Sequence, residues 1–195
     1  MIKIYNRVFL QLLMQQKEQW EKLYGPFDNN DYEEYRLNEL PDESGFYHGE
    51  IVKWARDLNP KRVLFAGENN KSAHVIKDAI HAECIVTAGL GTCDFKWNFE
   101  ENPPAMDLPF DLIISQAIVE HLLNPYKHLQ DLVSLLQTNG HLLLHTVIPG
   151  FAYHRYPIDA IRFFPDWFEE AALKMKLSVE RKRLRNTHIF YCFKK

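Results

Sequence analysis

Short apolar runs alternate along this chain with longer stretches in which apolar residues recur at helical spacing. The runs have the length of strands buried on both faces, and helical spacing indicates one apolar face on each helix. The pattern predicts strands at residues 61–66, 84–87, 94–96, 111–115 and 141–145, and helices at 5–24, 44–58, 72–82, 125–138 and 164–176. A terminal hairpin is predicted from strands at 177–184 and 187–193.

Alternating strands and helices favour a mostly parallel sheet with helices on both faces, because consecutive parallel strands need a crossover connection. The terminal hairpin adds an antiparallel element. We therefore predict an α/β domain over residues 45–195. Residues 1–44 are predicted to be an N-terminal helix followed by an acidic, tyrosine-rich segment, which could be either a lid over a site or a surface connector.

The segment 109–146 carries the clearest functional signal. A buried strand is followed by polar residues at 116–121, and Asn124 and Pro125 then favour the start of a helix. Residues 139–140, Asn-Gly, are typical of the turn that ends such a helix. Ligands bind at the carboxyl ends of strands in an open α/β sheet, so we expect a site where this first strand ends.

Composition narrows the class of protein. The 195 residues suffice for one domain, and a formal charge of −3 does not favour a general nucleic-acid partner. Three cysteines without ligand spacing fit a reduced setting. No apolar run approaches the ~20 residues of a membrane span, and Gln11, Gln15 and Lys17 interrupt the N-terminal apolar stretch. We therefore expect a cytoplasmic protein with no membrane association.

Three segments together resemble the class I S-adenosylmethionine-dependent methyltransferases. They are VLFAG at residues 63–67, FDLIISQAIVEHLLNPYKHLQDLVSLLQTNGHLLLHT at 110–146 and HRYPIDAIRFFPDWFEEAA at 154–172. The last is similar to a subgroup associated with glycan and small-molecule tailoring. The resemblance covers about residues 45–195. It implies a Rossmann-like, doubly wound, mostly parallel sheet with the terminal antiparallel hairpin, and S-adenosylmethionine as cofactor.

The first loop departs from the family pattern, in which an acid is followed by three spaced glycines. Phe65 stands at the acid position, Gly67 is kept, and Asn69 and Lys71 stand where the next glycines fall. Asn tolerates left-handed backbone better than most residues, so Asn69 would be a partial substitute. The acid that usually follows the second strand and binds the ribose is absent as well.

The resemblance implies a set of cofactor-binding residues around the first loop and the turn after residue 115. Glu68 could meet the methionine ammonium in place of the missing acid, and Asp94 could reach the nucleoside only if residues 88–95 fold back. The implied residues are Gly67, Glu68, Asn69, Asn70, Asp94, Gln116 and Ala117.

His121 is the candidate catalytic residue, because the family's corresponding turn faces the transferring methyl group. A histidine there could accept a proton from a hydroxyl or amine as the methyl arrives. It could instead only pack the turn. Glu120 and His121 could also help hold a divalent metal, but the sequence shows no third ligand, so no metal site is predicted.

Polar residues after residue 144 fall where a substrate pocket would close over the sheet. Arg155 and Arg162 could grip a carboxylate or phosphate, and His154 and Asp159 could bind sugar hydroxyls. Equally, Asp159 and Arg162 could form a local ion pair. The predicted substrate-binding residues are Glu120, Tyr153, His154, Arg155, Asp159 and Arg162, with His145 at the same edge.

The leading functional hypothesis is methyl transfer to a hydroxyl or amine of a small polar metabolite, including a sugar or nucleotide-sugar. The altered first loop favours a different class, a catalytically silent methyltransferase-like binding or scaffold domain. An RNA-directed methyltransferase is favoured only by the basic residues 181–185, which strand alternation would split across two faces. The N-terminal helix could serve as a lid or as a dimer contact.

Overall fold

The computed structural model describes residues 46–106 and 109–195. The predicted helix at 5–24, the acidic, tyrosine-rich segment after it and the first two residues of the helix predicted at 44–58 lie outside these residues. The division at residue 45 therefore stays a prediction. The helices are α1 (Phe46–Leu58), α2 (Asn70–Ile80), α3 (Pro125–Leu135) and α4 (Pro165–Lys174), and a short 3₁₀ turn spans Val119–His121. The strands are β1 (Arg62–Ala66), β2 (Cys84–Gly89), β3 (Phe95–Lys96), β4 (Phe110–Gln116), β5 (Leu136–Val147), β6 (Ser178–Arg185) and β7 (His188–Lys194).

The strands form one mixed sheet in the order β3-β2-β1-β4-β5-β7-β6. Strands β1 to β5 pair in parallel, whereas β7 pairs antiparallel with both β5 and β6. The strands that follow β1 in the chain, β2 and β3, lie on one side of it, whereas β4 and β5 lie on the other. In such a sheet the ligand-binding crevice lies where the direction changes, at the carboxyl ends of β1 and β4. The predicted fold class is confirmed.

Helices cover both faces of the sheet, because successive residues of each central strand point to opposite sides. Val63 and Phe65 of β1 pack with α1 and α2, in a cluster that includes Trp54 and Ile80. Leu64 belongs to a second cluster, which contains Leu129 of α3 and Phe168 of α4. Among the described helices, none is both long enough and apolar enough to cross a bilayer.

Several helix boundaries differ from the predicted ones, and α2 and α4 each end two residues earlier than predicted, at Ile80 and Lys174. Helix α2 begins at Asn70 rather than at residue 72, because the Asn69 side chain caps it by accepting from the backbone N–H groups of Lys71 and Ser72. Helix α3 ends at Leu135 rather than at residue 138, and β5 begins at Leu136 rather than at residue 141. Residues 139–140, predicted as the turn that ends the helix, therefore lie inside β5. The chain leaves α3 early because Leu136 pairs with Phe110 at the start of β4.

The basic residues of β6 are divided between the two faces of the sheet, as alternation predicts. Arg181 forms an ion pair with Asp57 of α1 at 2.7 Å, whereas Lys182 forms one with Glu169 of α4. Arg183 returns to the α1 side and pairs with a glutamate there. These positive charges therefore connect β6 to helices on opposite faces.

Candidate functional site

A cavity of about 480 Å³ opens at the carboxyl ends of β1, β2 and β4. This volume lies within the range of pockets that bind small ligands. Its wall includes the predicted residues Gly67, Glu68, Asn69, Gln116, Ala117, Glu120, His121 and His154. The sheet therefore brings residues from the first loop and from the turn after β4 to one site.

Glycines form the part of the wall that follows β1 and β2. Gly67 has φ +89°, a backbone conformation that favours glycine. Its N–H donates to the carbonyl of Ala88 at 2.8 Å. A Cβ at Gly89 would lie 3.5 Å from the Cα of Gly67, so the two turns approach closely. The two turns together form one wall of the cavity.

Asn69 does not substitute for glycine in the expected way. Its φ is −85°, so no left-handed conformation is needed, and its side chain instead caps α2. Lys71 is exposed and is absent from the cavity wall. The replacement of two family glycines thus leaves the cavity open on this side.

The charges of the cavity wall are negative. The described wall contains the carboxylates of Glu68, Glu100 and Glu120, and no Lys or Arg. The Glu68 carboxyl group accepts from the Ser72 hydroxyl at 2.6 Å. Burial raises the pKa of Glu68, and a cation bound beside it would favour its charged form. Such a wall attracts a cationic ligand and repels an anionic one.

The turn after β4 is held by backbone and side-chain contacts. Ala117 has φ +52°, and its N–H donates to the His145 carbonyl at 2.9 Å. The Gln116 side-chain amide donates to Nδ1 of His48 at 2.8 Å. The buried Oε1 of Gln116 has no hydrogen-bond partner among the described residues and could accept from a ligand.

Glu120 and His121 lie side by side at the end of this turn. Oε2 of the fully buried Glu120 accepts from the Thr146 hydroxyl at 2.7 Å. Nδ1 of His121 donates to the Ile158 carbonyl at 2.6 Å, which leaves the Nε2 lone pair 3.9 Å from Oε1 of Glu120. Burial lowers the pKa of His121, so its imidazole is neutral near pH 7.

Solved structures with the same architecture are methyltransferases. No known family profile matches the sequence, and no curated protein matches it either. The magnesium protoporphyrin IX methyltransferase of Synechocystis, solved with bound S-adenosylmethionine, superposes with TM-score 0.58 at 12% identity, over 91% of this chain and 90% of that one. The chain has the fold of the class I S-adenosylmethionine-dependent methyltransferases. The predicted resemblance is confirmed at the level of the fold.

Two proteins of Burkholderia thailandensis show the same methyltransferase fold. Its 1,6-didemethyltoxoflavin-N1-methyltransferase, with bound 1,6-didemethyltoxoflavin and S-adenosylhomocysteine, has TM-score 0.57 and 11% identity over 85% of this chain and 86% of that one. An O-methyltransferase family protein has TM-score 0.56 and 10% identity over 76% of this chain. The chain spans 56% of the length of that second protein.

Asn70 and Asp94 lie outside the cavity wall of this methyltransferase fold. Residues 88–95 do fold back, but the Asp94 carboxylate accepts from the backbone N–H of Thr87 at 2.8 Å. Asn70 contacts the hydroxyl of the same Thr87. Both side chains therefore brace the end of β2.

The substrate residues predicted after β5 divide into two groups. His154 lines the cavity, whereas Tyr153, Arg155, Asp159 and Arg162 are absent from its wall. Arg155 donates to the Pro157 carbonyl at 2.7 Å. Arg162 forms the local ion pair with Asp159 that the sequence left as one alternative.

Replacing Asp159 with alanine is expected to destabilise this segment. Burial alone would raise the pKa of Asp159, but hydrogen bonds from His154 and Arg162 hold it below its usual value. Loss of one partner from a fully buried pair costs roughly 3–5 kcal/mol. The Arg162 side chain keeps 20% exposure, so we expect the free energy of unfolding to fall by about 2–3 kcal/mol.

Urea unfolding would measure this loss, with Asp57→Ala as the matched control. The Asp57–Arg181 pair is exposed, with side chains 44% and 38% accessible, and its loss should cost at most about 1 kcal/mol. Equal losses in the two variants would contradict a structural role for the Asp159 pair.

Sequence reasoning missed an aromatic stack on the cavity wall. Tyr47 stacks on His145 with ring centroids 4.8 Å apart, and His145 stacks on His188 at 5.2 Å. Nε2 of His145 and Nδ1 of His188 are 2.9 Å apart. Of these residues, only His145 was predictable from the sequence, because it lies near the end of β5. Tyr47 lies in α1, and His188 is the first residue of β7.

Proposed function

We propose that the protein is an S-adenosylmethionine-dependent methyltransferase that acts on a hydroxyl or amine of a small polar metabolite. The observation that carries the proposal is one cavity with a negative wall at the carboxyl ends of β1, β2 and β4 of a methyltransferase fold. When bound, the cofactor supplies a methyl group on a positively charged sulfur.

The described residues fit this cofactor. Gly67 and Gly89 both line the cavity, and the lack of a side chain at each lets the two turns approach closely there. Glu68 offers a carboxylate to the methionine ammonium, and Gln116 offers the side-chain oxygen that has no described partner. The absence of Lys and Arg from the described wall favours a ligand with a net positive charge, and S-adenosylmethionine carries an ammonium and a sulfonium against one carboxylate.

His121 would accept the proton of the methyl acceptor. Its Nδ1 donates to the Ile158 carbonyl, and this hydrogen bond holds the imidazole in the tautomer with a free Nε2 lone pair. The transfer itself is an in-line displacement, so alignment of the acceptor by the cavity wall would supply much of the rate.

The wall also narrows the substrate class. Arg155 and Arg162 are engaged by Pro157 and Asp159, so neither supports recognition of a phosphate inside the cavity. An uncharged sugar or a cationic amine suits the negative wall better than the phosphates of a nucleotide-sugar, which would lie outside it. Histidine side chains offer hydrogen-bonding groups for such an acceptor.

Calorimetric titration with S-adenosylmethionine, S-adenosylhomocysteine and methylthioadenosine tests the proposal. We expect one site per chain for each ligand. Glu68→Gln keeps an acceptor for Ser72 but loses the charge, so it should weaken both amino-acid-bearing ligands by about tenfold. Methylthioadenosine lacks the ammonium, and its affinity should not change.

No binding of any of the three ligands at millimolar concentration would overturn the enzyme proposal in favour of a silent methyltransferase-like domain. Equal weakening of methylthioadenosine by Glu68→Gln would instead contradict the contact proposed for Glu68.

A further inference from the structure

We infer that Glu120, His121 and His154 bind one divalent transition-metal cation at the wall of the cavity. The site deepens the proposed function, because its catalytic role rests on methyl transfer at the same place. His154 is the third ligand that the sequence did not show. It lies 33 positions after His121 in the chain and reaches the site through the segment that follows β5.

The ligand atoms converge. One carboxylate oxygen and one ring nitrogen from each histidine lie within 4.8 Å of one another. Oε1 of Glu120 is 3.9 Å from Nε2 of His121 and 4.0 Å from Nε2 of His154. Ligand bonds of about 2.0–2.2 Å place neighbouring donor atoms roughly 3.0–3.6 Å apart. The two glutamate–histidine distances exceed this range by a few tenths of an ångström. The widest separation, up to 4.8 Å, needs an inward movement of about 1 Å, which side-chain rotation of the histidines would supply.

The contact behind His121 matches that of metal-binding histidines, which usually donate their second ring N–H to a carbonyl or carboxylate. Nδ1 of His121 donates to the Ile158 carbonyl at 2.6 Å. Nδ1 of His154 lies 3.5 Å from a carboxylate oxygen of Asp159, too far for a hydrogen bond in the unliganded site. The Nε2 atoms of both histidines lie on the side where Glu120 lies.

Glu120 supplies an independent observation. Its side chain is fully buried, and Thr146 satisfies only Oε2. Oε1 has no hydrogen-bond partner among the described residues. A buried carboxylate oxygen without a partner is unfavourable, and a bound cation would satisfy it. All three ligands line the cavity, so further coordination positions face the substrate.

The chemical types of the three ligand atoms determine which cations suit the site. Two imidazole nitrogens and one carboxylate oxygen suit Zn²⁺, Co²⁺ and other first-row transition cations. Mg²⁺ and Ca²⁺ prefer oxygen ligands throughout and are poorly served by two histidines. Open positions beside three protein ligands are typical of catalytic rather than structural sites.

The cation would activate a hydroxyl acceptor. The hydroxyl oxygen of the substrate coordinates the metal, which lowers the pKa of its proton, and the proton leaves to solvent. The oxygen lone pair then forms the bond to the methyl carbon while the carbon–sulfur bond breaks and its electron pair returns to sulfur. In this state His121 is a ligand, and the metal takes over the activation otherwise assigned to its lone pair.

Titration of the chelator-treated protein with Co²⁺ tests the site through visible d–d absorption and calorimetry. We expect one equivalent to bind and millimolar Mg²⁺ not to displace it. His121→Ala and His154→Ala should each weaken Co²⁺ binding at least a hundredfold, and Asp159→Asn, behind His154, about 10–100-fold. His74→Ala, on the exposed face of α2, is the control and should not change it.

Circular dichroism verifies the fold of each variant, and S-adenosylhomocysteine is titrated into the same samples. Absence of Co²⁺ binding by the folded parent, or equal binding by parent and His154→Ala, overturns the metal site. If S-adenosylhomocysteine still binds in that case, the proposed function stands and His121 returns to the role of base. Co²⁺ binding by the triad without cofactor binding supports the site and overturns the proposed function.

Discussion

Replacing Gly67 with alanine is expected to weaken S-adenosylmethionine binding by about tenfold to a hundredfold. The backbone at Gly67 has φ +89°, which an L residue adopts only with strain. The added Cβ would lie 2.1 Å from Cδ1 of Ile118, another residue of the cavity wall. Either the turn shifts or Ile118 moves, and both change the surface that would contact the cofactor. Calorimetry with S-adenosylmethionine measures the effect.

Two further variants separate the causes. Gly49→Ala makes the same change on the exposed face of α1, where a Cβ meets nothing within 4 Å, and should stabilise the protein by about 0.5–1 kcal/mol without changing binding. Adding Ile118→Ala to Gly67→Ala removes the steric clash but not the backbone strain, so it should restore binding only in part. Unchanged affinity in Gly67→Ala would show that this turn does not hold the cofactor.

Acidification below pH 6.5 is expected to destabilise the protein steeply. Burial lowers the pKa of His128 to about 3 and that of His188 to about 4, and burial also lowers the pKa of His145. In the unfolded chain these groups titrate near 6.5. The native state therefore binds fewer protons than the unfolded state once the pH falls below 6.5.

Because the native pKa values of these histidines are lowered, each histidine stabilises the folded protein when it is neutral. This stabilisation is complete above pH 6.5 and is lost as the pH falls toward the lowered native pKa values, at up to about 1.4 kcal/mol per pH unit for each histidine. Urea unfolding at pH 7, 6 and 5 measures the slope. A free energy of unfolding that stays constant over this range would contradict burial of neutral histidines.

His128 is the best position at which to test this pH dependence, because it is fully buried and lies against Ser115 and the ring of Phe99. His128→Gln keeps a polar group near the Ser115 hydroxyl but cannot titrate. We expect the slope of stability against pH to decrease by about 1.4 kcal/mol per pH unit below pH 6. An unchanged slope in His128→Gln would contradict the contribution assigned to His128.

Local pattern was sufficient for the elements themselves. Strand β4 extends by one residue at each end beyond the predicted 111–115, and Asn124 caps α3 as expected, by accepting from the backbone N–H of Lys127. The boundaries that were wrong depend on interactions outside that pattern. Asn69 was assessed as a substitute for glycine, whereas its extended φ makes it the cap of α2.

The candidate site was predictable only in part, because its side chains also depend on contacts between distant parts of the chain. Gly67, Gln116 and His121 follow strand ends, and the rule that ligands bind at the carboxyl ends of strands finds them. Asp94 and Arg162 have equally suggestive residue types, but the structure gives them partners in Thr87 and Asp159. Residue type alone does not show whether a charge faces a ligand or another side chain.

The sequence by itself determined the order of strands and helices, the two-sided burial of the sheet and the edge at which polar residues collect. These features follow from apolar spacing, which the local backbone geometry converts directly into elements. Tertiary structure alone decided that His154 meets Glu120 and His121. The backbone N–H groups of Ala160 and Ile161 donate to the Glu120 carbonyl and bring the two segments together. Such long-range hydrogen bonds leave no periodic trace in the sequence, because they join residues that no local repeat relates.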